Sequence, residues 1–110
     1  MVLKSLSDED RAKARAKALQ ARTRRAEVKE AFGSGRLGIT ELLELVPDDD
    51  AVGRLRVADL LEAVPGVGQI RAAALMERLG ISPSRRLRGL GRKQQQALVE
   101  HFTATPPAKH

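Results

Sequence analysis

The sequence has no cysteine, tryptophan or tyrosine, and Phe32 and Phe102 are its only aromatic residues of the Phe/Trp/Tyr set. Without cysteine there are no disulfides and no thiolate metal sites. With two such rings there is little on which unpaired bases can stack, which points away from single-stranded nucleic acid. No apolar run approaches the ~20 residues of a membrane span. Asp8, Glu9 and Asp10 come too early for a secretory signal, so a soluble, intracellular protein without a membrane partner is expected. The sequence also lacks paired carboxylates in a pocket motif, a G-x-S-x-G elbow and a P-loop. His101 and His110 form no ligand constellation. No catalytic site, metal site or cofactor is expected.

What is present is positive charge, unevenly placed. The 110 residues suffice for one small domain, and the net charge is +6. Residues 1–32 hold nine Lys and Arg against five Asp and Glu, residues 33–62 three against seven, and residues 63–110 eight against two. Two basic ends around an acidic middle suit two surfaces that meet a polyanion.

The periodicity predicts an all-α fold, since no segment alternates with period 2 over a useful length. A long helix is expected over 8–32, capped by Ser7 with Asp10 in a capping box. Its interior is Ala, Lys, Arg, Glu and Gln, all good helix formers. The apolar stripe is weak, so only the end near Val28 and Phe32 is expected to dock on a core. Gly33–Gly38 spells G-x-G-x-x-G, but a helix precedes it, so it reads as a helix stop and turn, not a dinucleotide site. Thr40 is expected to cap a short helix through Val46. Pro47 breaks that helix, and one of Asp48, Asp49 and Asp50 is expected to cap the next turn. Helices are expected over 57–64 and 68–79. Ile70, Ala73 and Ala74 would face one neighbour, and Ala72, Leu75, Met76 and Leu79 another. Gly80 ends the second helix, with Ile81 packing back as in a Schellman motif. Ser82-Pro83 predicts a short helix to about Leu87, and a last helix is expected over about 92–102. The expected organisation is a long basic N-terminal helix (1–32), a helical binding domain (33–102) and a disordered tail (103–110).

Two corners carry the chemistry. In the first, Pro65, Gly66, Val67, Gly68 and Gln69 join two apolar helices, the pattern of a helix-hairpin-helix. Glycines there permit positive φ and let backbone N–H groups approach a phosphate at a helix start. Arg71 lies one turn in. A plain interhelical turn is the bland alternative. The second corner, Arg88, Gly89, Leu90 and Gly91, repeats the Gly-hydrophobic-Gly pattern. Arg85 and Arg86 precede it, and Arg92, Lys93 and Gln94 follow. Guanidinium groups donate two hydrogen bonds to a phosphate at once. The sequence shows no acid close by, Glu100 being the nearest downstream; solubilising charge is the alternative here. Arg54 and Arg56 fit two readings equally, a contact to the polyanion or pairing with Asp50 or Asp59. Arg22 and Arg25 are candidates for a second surface on the long helix. Together these residues point to a grip on the sugar-phosphate backbone of double-stranded nucleic acid.

Leu61-x-x-Val64-Pro65-Gly66-Val67-Gly68, Met76-Glu77-Arg78-Leu79-Gly80-Ile81-Ser82 and Ser84-Arg85-Arg86-Leu87-Arg88-Gly89-Leu90-Gly91 together resemble the actinobacterial integration host factor family. Arg24-Arg25-Ala26-Glu27-Val28-Lys29 does so as well, and the resemblance runs from about residue 7 to 102. It implies a long N-terminal helix followed by a small helical domain with a helix-two-turns-helix core. It implies a monomeric, non-enzymatic, nucleoid-associated protein of the cytoplasm that binds double-stranded DNA with little sequence preference. Shaping of the chromosome and a part in site-specific recombination, alongside integrase or recombinase complexes, are implied too. The family's DNA-contacting arginines match Arg85, Arg86 and Arg88. The chain departs at Gln69, where members often carry Lys. A structured-RNA or ribosomal binding module, and a protein-interaction module with an acidic partner, remain as other readings.

Overall fold

Ser7 begins the longest element of the chain. In the computed structural model, which describes residues 7–104, the Asp10 N–H donates to Ser7 Oγ at 3.0 Å and the Ser7 N–H donates back to Asp10 Oδ2 at 3.4 Å. That capping box starts α1 (Asp8–Gly33), with three acids in the first turn where the helix dipole favours them. Helix α1 is about 39 Å long at 1.5 Å per residue. Residues 8–20 are exposed all round, and Val28 and Phe32 are its buried residues. The outer half therefore stands clear of the core, held as a helix by propensity and by solvent-exposed pairs such as Lys13–Glu9.

The remaining elements are α2 (Ile39–Leu45), α3 (Asp50–Gly53), α4 (Val57–Glu62), α5 (Gln69–Leu79), a single 3-10 turn (Leu87–Gly89) and α6 (Arg92–Ala104). No β-strand occurs among the described residues, so the all-α expectation holds. The core is aliphatic: Leu42, Val52, Val57, Leu60, Leu61, Leu87 and Leu98 are fully enclosed. The two phenylalanines meet edge to face, ring centroids 5.2 Å apart, and so fasten the end of α1 to α6. Helix α5 ends with Gly80 in the left-handed region, and the Ile81 N–H donates to Met76 O at 2.8 Å, a Schellman closure.

Several local expectations are corrected. Thr40 does not cap α2; Gly38 does, with its N–H donating to the Glu41 carboxylate at 3.0 Å. Val64 lies beyond α4, because the chain turns at Ala63. Helix α5 buries one face instead of two: Ile70 is 87% exposed, and Ala73 and Ala74 are exposed beside it. Residues 82–86 form a turn and a short extended stretch, not a helix. The backbone there is claimed by Leu55 and Val57: the Val57 N–H donates to Arg85 O at 3.0 Å and the Leu87 N–H to Leu55 O at 2.9 Å. Arg56 and Arg86 thus form an isolated antiparallel bridge. The last helix reaches Ala104, two residues into the expected tail; residues 105–110 of that tail, and the first six of the chain, lie outside the described residues.

Gly33 is part of α1, and its lack of a side chain is a packing requirement. A Cβ there would sit 2.3 Å from the carbonyl oxygen of Ala63, so the backbones of α1 and of the turn after α4 touch directly. A second anchor is Asp49. Its Oδ2 accepts from Arg24 Nε at 2.8 Å, and its Oδ1 accepts from the Val52 N–H at 3.2 Å, which caps α3. Partial burial pushes the Asp49 carboxyl up, but the hydrogen bonds from Arg24 and Val52, with the Arg24 charge, outweigh it and hold it below its ordinary value near 3.8.

Two outcomes follow from these anchors. Gly33→Ala is expected to lose about 1–3 kcal/mol, since a methyl must displace backbone; the midpoint of urea unfolding measures it. The depressed Asp49 pKa contributes stability that is complete above the unfolded value near 3.8 and is lost as pH falls through the lower folded value. Asp49→Asn keeps a capping oxygen but removes the charge. Its unfolding midpoints, measured from pH 7 downward, should start lower than those of the parent and converge with them in acid.

Candidate nucleic-acid interface

The first corner is a turn closed by the Val67 N–H donating to Val64 O at 3.0 Å, with Pro65 and Gly66 at its centre. Gly66 has φ +84°, the left-handed region that the third position of a type II turn requires. Val67 is half-buried against the core and holds the turn in place. Gly68 is the N-cap of α5 and supplies no side-chain bond to it. The N–H groups of Gly66, Gly68, Gln69, Ile70 and Arg71 consequently have no acceptor among the described residues. Pro65, Gly68, Gln69 and Arg71 are exposed. Arg71 leans back over the turn, its Nη1 3.4 Å from Gly66 O. This corner presents free amides with one guanidinium beside them, an arrangement that accepts an anion.

The second corner is built differently. The Gly89 N–H donates to Arg86 O, the Leu90 N–H to Leu87 O and the Gly91 N–H to Gln94 Oε1. The amides at 89–91 expected to face a phosphate are therefore used internally. Leu90 is buried and belongs to the core. Gln94 is a strut: besides holding Gly91, its Nε2 donates to Gly80 O at 2.7 Å. What the corner presents is side-chain charge. An open cleft of about 310 Å³ is lined by Ser82, Ser84, Arg85, Arg86, Arg88 and Gly89. Arg85 lies across Gly89, donating from Nη1 to Gly89 O at 2.8 Å, while its Nε is buried without a partner among the described residues. A Cβ on Gly89 would stand 3.2 Å from Arg85 Cδ, so the glycine makes room for the arginine stem. Arg92 and Lys93 are exposed at the start of α6.

The bridge between residues 54–57 and 85–87 enlarges this basic site. Along one stretch Leu55 and Val57 point inward while Arg54 and Arg56 point out; opposite them Leu87 points inward and Arg86 out. Arg86 Nη1 donates to Arg54 O at 2.9 Å, locking the two segments together. Five arginines from two distant parts of the chain thus share one face. Arg54 satisfies one of its two readings by pairing with Asp50 at 3.2 Å. Asp50 also lies 3.6 Å from Arg88, so the corner has an acid beside it after all, contributed from 38 residues upstream. That contact leaves no mark in the sequence, because neither segment has a periodicity that dictates their pairing.

Arg22 and Arg25 lie on α1, exposed and half-buried respectively. They flank Arg24, which Asp49 ties to α3. His101 stacks edge to face on Phe102 and lies 3.4 Å from Arg78, a packing role. No group of three or more metal-ligating side chains occurs among the described residues. No described helix is long and apolar enough to cross a membrane.

Residues 32–102 match the S13-like H2TH domain family. A protein of Mycobacterium tuberculosis named integration host factor is 45% identical over 102 residues, which is 93% of this chain and 97% of that protein. The Streptomyces coelicolor protein of the same name is 45% identical over 96% of this chain and 98% of its own length. A solved structure of sIHF bound to an 8-bp palindromic DNA superposes with a TM-score of 0.76 at 45% identity, over 79% of this chain and 98% of that one.

The two glycines of the first corner differ in what they tolerate. Gly66→Ala forces a Cβ into positive φ and is expected to cost about 1–2 kcal/mol. Gly68, at φ −92° with open space around its missing Cβ, should accept alanine with a much smaller loss. Guanidinium unfolding of the two variants compares them directly.

Proposed function

This chain belongs to the actinobacterial integration host factor family, and from that membership we propose that it grips the sugar-phosphate backbone of double-stranded DNA with little regard to sequence. The observation that carries the reading is the arginine-lined cleft at 82–89 together with the free amides of the 65–69 corner. Phosphate contacts of this kind fix position on a duplex and carry no base code. The contacting set is Pro65, Gly66, Gly68, Gln69 and Arg71 at one corner and Arg85, Arg86, Arg88, Arg92 and Lys93 at the other. Val67, Gly89, Leu90, Gly91 and Gln94 hold those groups in place. Arg56, exposed beside Arg86, joins the second corner. Arg22 and Arg25 form a second contact area on α1. The helical unit at 33–102 is the binding domain, and the outer half of α1 is an arm that extends the basic surface.

Two contact areas on a monomer allow one molecule to bend a duplex or bring two together, which is how it would shape the chromosome and assist a recombinase. The protein acts on the nucleoid as an architectural binder, a reading that the naming of its relatives as host factors supports.

Ion release provides the test. With about 6–8 phosphate contacts, log K for a random duplex should fall against log[salt] with a slope of about −5 to −7. Changing Arg85, Arg86 and Arg88 together to Ala should weaken binding alike for unrelated sequences and flatten the slope by about 2 to 3. An unaltered slope removes those arginines from the interface. Competition by duplex RNA that outmatches duplex DNA would assign the surface to A-form helices instead.

A further inference from the structure

Asp49 and Asp50 are neighbours with opposite circumstances. Asp49 is 24% exposed, bonded to Arg24 at 2.8 Å and to a backbone N–H, and it fastens α1 to α3. Asp50 is 73% exposed and lies between two guanidinium groups, 3.2 Å from Arg54 Nε through Oδ2 and 3.6 Å from Arg88 Nη1 through Oδ1. Arg54 and Arg88 are themselves more than half exposed. Pairs this open are weak and exchange freely with other ions. A carboxylate placed across two arginines at the rim of the basic cleft has the charge and the acceptor geometry of a backbone phosphate.

We propose that Asp50 stands in for a DNA phosphate on Arg88 and Arg54 in the free protein, and that the duplex displaces it on binding. This rests on the reading that the 82–92 corner takes phosphate. Asp50 is then an affinity-setting residue that opposes binding. When a phosphate takes Arg88, the released carboxylate gathers a cation from solution, which offsets one of the counterions that DNA sheds. The parent protein should hold DNA less tightly, and lose it less steeply with salt, than its arginine content alone dictates. A carboxylate here also keeps Arg54 and Arg88 from collecting isolated small anions, leaving them to a polyanion dense enough to evict it.

The test is fluorescence anisotropy of the full chain with a labelled random-sequence 20-bp duplex across a salt series. Asp50→Asn should bind roughly three- to five-fold more tightly at low salt and steepen the slope by up to about 1. Asp48→Asn removes the same charge from the adjacent turn, where no ion pair is formed among the described residues, and should gain far less. With Arg88→Ala in place, Asp50→Asn should add less than half of its gain in the parent background. Asp50→Ser guards against an effect peculiar to asparagine and should behave as Asp50→Asn does. Unchanged or weaker binding by both Asp50 variants overturns the proposal, as does an equal gain from Asp48→Asn. The Arg85→Ala/Arg86→Ala variant separates the two levels. If it loses affinity while the Asp50 variants gain none, the displaced carboxylate is wrong and the phosphate corner stands. If it binds as the parent does, the corner itself is wrong.

Discussion

A single antiparallel bridge between two short segments governs the rest of the molecule. Residues 55–57 meet residues 85–87 at a single antiparallel bridge between Arg56 and Arg86, through two backbone hydrogen bonds, among described residues that otherwise form helices and turns. Around that bridge Leu55, Val57 and Leu87 enter the core, while Arg54, Arg56 and Arg86 stay outside. One geometric device thereby closes the core and assembles the basic face. The same residues that exclude water on the inside determine which guanidinium groups become neighbours on the outside. Packing and charge are not separable here: loss of Leu87 from the core would also misplace the arginines on either side of it.

The two corners meet an anion by different physics. At 65–69 the backbone does the presenting, because a Pro-Gly turn and an uncapped helix start leave several N–H groups without acceptors. At 85–92 the backbone is self-satisfied, and the side chains present. The difference follows from what lies next to each. Leu87 and Leu90 are held in the core, so the turn between them must close on itself. Pro65 and Gly66 are exposed, and nothing compels their neighbours to pair inward. Free amides are rigid and weakly screened by their own motion; arginines reach further and adapt to where the phosphates lie.

Much of the fold was legible in the sequence because its signals are local. The Ser7–Asp10 capping box, the αL ending at Gly80 and the docking of α1 through Val28 and Phe32 all depend on residues within one or two turns of each other. The misses have a common cause. Ser82-Pro83 carries a sound local helix signal, yet the segment makes one turn and then a bridge at Arg86, because Leu55 and Val57 compete for its backbone from about thirty residues away. Ile70, Ala73 and Ala74 look like a buried face by composition, but a domain this small has no further element to cover them. At the site, the arginine cluster at 85–88 and the Pro-Gly turn were readable from residue type alone. The inward-facing amides of 89–91, the structural duty of Gln94 and the placement of Asp50 against Arg88 were not, since each is decided by a partner distant in sequence.

In the sequence Gly33 reads as punctuation, and the structure gives it a different meaning. The α1 backbone rests on the Ala63 carbonyl with no methylene between them. Joints made through long side chains give a little, since rotamers yield before the main chain does. A joint of bare peptide against bare peptide has no such cushion. The long helix is consequently seated like a keyed shaft, its azimuth set two residues ahead of Pro65, and whatever its outer arginines touch is held in fixed register with the turn that follows.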